Sequence, residues 1–258
     1  MRPVETIILG IGDAFTRLHF GASAALRAPA PGGGGVVLID CPDPIHRVLH
    51  EAGEKAGGPW RNLRAEAVTD ILLTHLHGDH SNGLESFAFY HGVLRVQAEK
   101  NGTPPLPKPR LWTSVFSAER LWQKLAPAMS GSLGRTLDAF FEVRLLHPGQ
   151  TADVAGLKVE SRVTTHPLHC LGFVIRHPDG SSLGWSGDAG YEPAHVEWLD
   201  RADVVVHEAN HPPAHSDIKE LMKLPEAIQK KLRLIHLPDG FDAAAFGFHA
   251  LKEGEIIS

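Results

Sequence analysis

Apolar positions along the chain fall mostly in short runs rather than in long stripes of helical period. Runs at residues 4–10, 36–40, 68–74, 110–113, 142–146, 157–165, 171–176, 182–186, 204–207 and 232–236 are short and apolar or β-branched, which predicts strands. Periodicity near 3.6 predicts helices over 44–56, 118–129, 193–200 and 218–231. Pro225 falls inside the last of these and should kink or split it, because proline has no N–H to donate. Strands dominate and helices are interspersed in both halves, an order that predicts an α/β chain with two sheets sandwiched between helices in one domain, residues 1–258. The glycines at 32–35 lead into a strand rather than a helix, so they do not make a phosphate-cradling loop. Residues 103–109, rich in proline, read as a stiff surface connection.

Composition narrows the class. Of 258 residues, 43% are hydrophobic and 21% charged, enough apolar surface to build a buried core. No apolar run approaches the roughly 18 residues needed to span a bilayer. Residues 1–12 read as a strand and turn rather than a targeting leader. Two cysteines, Cys41 and Cys170, are too few for a disulfide framework and are expected as small core residues. A soluble, cytoplasmic protein without a membrane partner is the expectation. The net charge of −5 offers no support for a broad nucleic-acid-binding surface. Seventeen histidines are an unusual number, and histidine is the commonest metal ligand.

Their spacing is informative. Residues 74–80 read Thr-His-Leu-His-Gly-Asp-His, directly after the apolar run that begins at Val68. His75 and His77, two apart at a strand end, can point the same way. Gly78 allows a sharp turn that can return Asp79 and His80 to a neighbouring point. Three imidazoles and a carboxylate so close together suit zinc and similar divalent cations.

This H-x-H-x-D-H at a strand end resembles the signature of the metallo-β-lactamase superfamily, and the resemblance continues in order from residue 5 to about 240. Leu38-Ile39-Asp40-Cys41 is similar to the family's early strand, which ends in an aspartate supporting the metal loop. Thr164-Thr165-His166 is similar to the strand end carrying a third histidine, Ser186-Gly187-Asp188 to the segment whose carboxylate bridges two metals, and Leu234-Ile235-His236 to the late strand with the final histidine. The resemblance implies an αββα four-layer sandwich and two divalent ions, with zinc as the leading candidate and manganese or iron as others. It implies His75, His77 and His166 as ligands to the first, Asp79, His80 and His236 as ligands to the second, and Asp188 between them. Each of His166, Asp188 and His236 also lies at or just beyond the end of a predicted strand, where pocket ligands can converge. His169 competes with His166 for the third histidine place; the strand-end position favours His166.

Two further segments resemble the ribonuclease Z branch: His207-Glu208-Ala209-Asn210 its His-Glu-Ala-Thr motif, with Asn210 in the threonine place, and His215-Ser216-Asp217 its His-Ser-Thr motif, with Asp217 departing from it. The resemblance implies that Glu208 and His215 assist departure of the leaving alcohol, and a carboxylate that fixes an imidazole's tautomer does make it a competent proton donor. Capping of the helix near Ile218 is the other role open to these two residues. The opening 9–15, Leu-Gly-Ile-Gly-Asp-Ala-Phe, is similar to a glycine turn of the same branch. The long arm with which transfer-RNA-processing members bind their substrate has no room between His166 and Asp188, so a long RNA is disfavoured.

These readings converge on a metal-dependent phosphodiesterase of a small phosphodiester or nucleotide-like substrate, with Asp79 also orienting the attacking hydroxide. A homodimer is compatible with them. Hydrolysis of a lactone or thioester, transfer-RNA 3′ cleavage and a non-enzymatic metal-stabilised sensor or partner-binding module are the alternatives. The aromatics of residues 81–165 (Phe87, Phe89, Tyr90, Trp112, Phe116, Trp122, Phe140 and Phe141) are expected in the core, with one or two free to stack on a ring above the pocket.

Overall fold

The computed structural model describes residues 5–29, 35–131 and 136–257. Within them the strands are β1 Thr6–Gly10, β2 Ser23–Arg27, β3 Val36–Ile39, β4 Val68–Leu72, β5 Arg110–Thr113, β6 Glu142–Leu145, β7 Thr151–Val154, β8 Leu157–Val163, β9 Leu171–Arg176, β10 Ser182–Trp185, β11 Val204–Glu208, β12 Leu232–Ile235, β13 His249–Ala250 and β14 Ile256–Ile257. The helices are α1 Ile45–Ala56, α2 Gly78–Ser81, α3 Gly83–Lys100, α4 Val115–Met129, α5 Pro193–Leu199, α6 Ile218–Leu221 and α7 Glu226–Gln229.

Two mixed sheets result, ordered β14-β1-β2-β3-β4-β5-β6 and β13-β12-β11-β10-β9-β8-β7. The outer α1, α3 and α4 bury Leu49, Phe87 and Leu121 against Leu38, Ile71 and Leu111 of the first sheet. The opposite face of that sheet (Leu26, Val37, Leu72) meets Phe173, Ile175 and Val206 of the second. Leu199 of α5 and Leu221 of α6 cover the far side of the second sheet on Val205 and Leu234. Helix, sheet, sheet, helix is the four-layer order. Alternate residues of β3 go to different cores, Val36 and Leu38 to one and Val37 and Ile39 to the other, so the strand is apolar throughout.

All ten predicted strands and all four predicted helices have counterparts, two strands (110–113 and 171–176) with the same ends and the others with shifted ones. The first predicted strand begins at residue 4, which lies outside the described residues, as do 32–34 of the glycine loop. Helix α4 starts three residues earlier than its apolar pattern suggests, because the Ser114 hydroxyl accepts from Ser117 N and caps it there. Pro225 splits the last predicted helix into α6 and α7. Periodicity gives no sign of α3. That helix buries Leu84, Phe87, Ala88 and His91 but exposes Val93 and Val96, so no clean apolar stripe marks it. Between His166 and Asp188 the chain makes β9, a tight turn and β10, and no arm projects.

Candidate metal centre

The centre forms where strand ends of both sheets meet. Strand β3 runs parallel to β4, which sets the fully buried Asp40 beside the segment leaving β4. Asp40 accepts from Thr74 N at 2.8 Å, from the Thr74 hydroxyl at 2.8 Å and from His80 Nδ1 at 2.8 Å. A residue other than glycine at φ 61° is uncommon, and here these hydrogen bonds hold it in that conformation. The short helix α2 then turns Asp79 and His80 back toward His75 and His77.

Two groups of side chains converge on Asp188, and a third, Glu208, His215 and His236, adjoins them. His75, His77, His166 and Asp188 offer ligand atoms all within 4.8 Å of one another, and so do Asp79, His80, Asp188 and His236. In the first group His75 Nε2 lies 3.0 Å and His166 Nε2 3.2 Å from His77 Nδ1, with Asp188 Oδ2 3.6 Å from His75 Nε2. In the second, His80 Nε2 is 3.3 Å from both Asp79 Oδ2 and Asp188 Oδ1, and His236 Nε2 is 3.2 Å from Asp79 Oδ2. Four ligands placed tetrahedrally at about 2.0–2.1 Å from a zinc ion would be about 3.3 Å apart. The separations above lie within about 0.3 Å of that spacing, with His166 Nε2 to Asp188 Oδ2 longer at 3.9 Å, and His80 Nε2 is buried without a hydrogen-bond partner of its own.

The opposite ring nitrogens fix the tautomers. His80 Nδ1 donates to Asp40 and His166 Nδ1 donates to Ala214 O at 3.0 Å, leaving both Nε2 lone pairs directed inward. Burial disfavours an imidazolium, so His75 is held well below the usual histidine range, and His77 and His166 below it. Burial opposes charge on His80 and His236 as well, but neighbouring carboxylates, Asp188 foremost, outweigh it and raise both. In return Asp79 and Asp188 stay below the usual carboxylate range despite burial, held there by those two histidines. The first group thus presents neutral imidazoles, and in the second the ionised carboxylates attract positive charge, a place that a divalent cation could take from the protons on His80 and His236.

Beside the second group sits another pair. His215 Nδ1 lies 3.0 and 3.1 Å from the two oxygens of Glu208, and its ring stacks on His236 at 5.0 Å. Glu208 is buried, and that burial, with Asp188 nearby, pushes its carboxyl well above the usual range. The side chain that caps α6 is Asp217, which accepts from Lys219 N, so neither Glu208 nor His215 serves as that cap. His169 stacks on Phe116 at 5.2 Å and belongs to neither ligand group, whereas His166 belongs to the first.

A pocket of about 340 Å³ opens over these groups, lined among others by Phe15, His77, Asp79, Asp188, His215 and His236. The described aromatics of residues 81–165 do not line it. Asp13 and Phe15 form part of its wall, a role the sequence did not reveal; their only mark there was their place in the glycine turn over 9–15. Asn210, in the place of the expected threonine, donates to Asp13 Oδ2 and to His236 O, both at 3.0 Å.

Comparisons with known proteins agree with the fold. A metallo-β-lactamase fold protein, YhfI from Bacillus subtilis, superposes with a TM-score of 0.77 over 99% of both chains, at 16% identity. An Anti-Pycsar protein Apyc1 from Paenibacillus sp. (strain J14) is 29% identical, covering 96% of this chain and 96% of its own. A cGMP-dependent 3′,5′-cGMP phosphodiesterase A from Dictyostelium discoideum is 26% identical over 72% of this chain and 22% of its own length. The family model for Anti-Pycsar protein Apyc1 matches residues 4–254. With nearly its whole length matched and its metallo-β-lactamase fold in place, this chain belongs to the Anti-Pycsar protein Apyc1 family.

Proposed function

We propose that this protein is a metal-dependent phosphodiesterase that opens small phosphodiesters of the 3′,5′-cyclic nucleotide type. The observation that carries the reading is Asp188, a buried carboxylate shared by two ligand groups, with the Glu208–His215 pair at their side. A relative named as a 3′,5′-cGMP phosphodiesterase supports the substrate class.

His75, His77 and His166 would hold one divalent cation, Asp79, His80 and His236 a second, with Asp188 serving both; zinc is favoured by the imidazole-rich donor set, with manganese or iron as the other candidates. Such ions, when bound, supply a water-derived nucleophile at neutral pH and neutralise charge on the phosphoryl oxygens. Asp79, with one oxygen near both His80 and His236, orients that nucleophile for in-line attack. His215 faces the pocket with its Nδ1 held by Glu208, so its Nε2 can deliver a proton to the departing sugar oxygen. Breakage of the P–O bond then yields a phosphomonoester and an alcohol on the same sugar.

Hydrolysis of a lactone or thioester is the alternative that the same donor set would also serve. A panel of cyclic nucleotides, lactones and thioesters separates the two readings. Turnover confined to phosphodiesters, abolished by chelation and restored by zinc or manganese, is expected. Faster turnover of lactones, or activity that survives exhaustive chelation, would refute the proposal.

A further inference from the structure

Phe15 is a large apolar side chain that the fold leaves in water, 86% exposed, at the wall of the metal pocket. Its backbone is fixed. The buried Asp13 accepts from Phe15 N at 2.9 Å through one oxygen and from Asn210 through the other. The Thr16 hydroxyl and Arg17 N both donate to Asp239, at 2.5 and 2.8 Å. Leu237 N donates to Ile11 O at 2.9 Å, tying the start of this loop to the residue after His236. The backbone segment that positions His236 is therefore tied to the loop from which the Phe15 side chain projects. Among the described residues, no other phenylalanine, tyrosine or tryptophan lines the pocket. A ligand that fills the site must place an anionic diester at the histidines and carboxylates and can offer a flat apolar group to this ring. Purine and pyrimidine bases have such a face, and stacking on an aromatic side chain is a general way to hold one.

We propose that Phe15 is a specificity-determining platform on which the substrate's nucleobase stacks while its phosphodiester occupies the His/Asp centre; this rests on the phosphodiesterase reading above. The ring takes no part in bond breaking, so it acts on KM rather than on kcat.

The test compares 3′,5′-cyclic GMP with base-free ribose 3′,5′-cyclic phosphate on the metal-loaded protein, in wild type, Phe15→Ala and Phe15→Trp. The alanine variant should raise KM for cyclic GMP about tenfold to a hundredfold with kcat nearly unchanged. It should leave the base-free probe unaffected, and tryptophan should restore the wild-type KM. Equal losses on both probes, or none on cyclic GMP, would overturn the platform. Equal losses accompanied by a smaller sedimenting species would assign Phe15 to a subunit contact instead. Should wild type hydrolyse neither probe, the phosphodiesterase reading fails by itself, and calorimetric titration with guanosine 5′-monophosphate decides the platform. Binding weakened by Phe15→Ala upholds it; binding that is absent or unchanged overturns it.

Discussion

At the scale of single residues, each polar group of the site answers a neighbour. Asp40 turns His80, Ala214 O turns His166, and Glu208 turns His215. His80 and His166 belong to the two groups that share Asp188, whereas His215 stands beside them, which makes it the most informative to remove. His215→Ala should retain its metal and slow esters with poor alkoxide leaving groups by ~100-fold or more, the usual span of general-acid assistance. Nitrophenyl esters, whose leaving group needs no proton, should slow far less, and steady-state kinetics on the two classes measures the contrast. Local spacing made His75 to His80 legible as a ligand cluster, because all its donors lie within one turn of chain. Phe15 was not legible, since its place at the pocket depends on Asn210 and Asp239, nearly two hundred residues or more away along the chain.

At the scale of elements, strand ends deliver the ligands and buried contacts hold those ends. His195 of α5 is one such contact, its Nε2 donating to Ser186 O at 3.1 Å and bracing the turn that carries Asp188. Burial lowers the His195 pKa to about 4, with the neighbouring His207 adding to the effect. The folded protein therefore prefers the neutral ring, while the unfolded chain takes up a proton near pH 6.5. The stability this provides is complete above that pH and is lost as pH falls toward 4, amounting to about 3 kcal/mol. Chemical denaturation between pH 7 and pH 4 should show that decline, to which the other buried histidines add, and His195→Gln, which keeps a donor but cannot titrate, should make it shallower. An element with a uniform apolar run, such as β3, was readable because both its faces are buried. Strand β2 (Ser-Ala-Ala-Leu-Arg) and helix α3 were not, since their burial comes from tertiary packing and leaves little periodic trace in the residues.

At the scale of the whole molecule, two sheets bring residues from 75 to 236 to one edge, a convergence that no local pattern specifies. The ordered likeness to the metallo-β-lactamase superfamily was what made the sandwich legible in the sequence, and the observed four layers agree with it. No helix among the described residues is long and apolar enough to cross a membrane. Function on the proposed reading rests on two divalent cations that share Asp188 and act together on a phosphodiester. Titrating metal-free protein with zinc while following hydrolysis of 3′,5′-cyclic GMP tests this most directly. Turnover should rise to a plateau at about two equivalents per chain, as a two-metal site requires. A plateau at one equivalent, or turnover already complete before any metal is added, would contradict it.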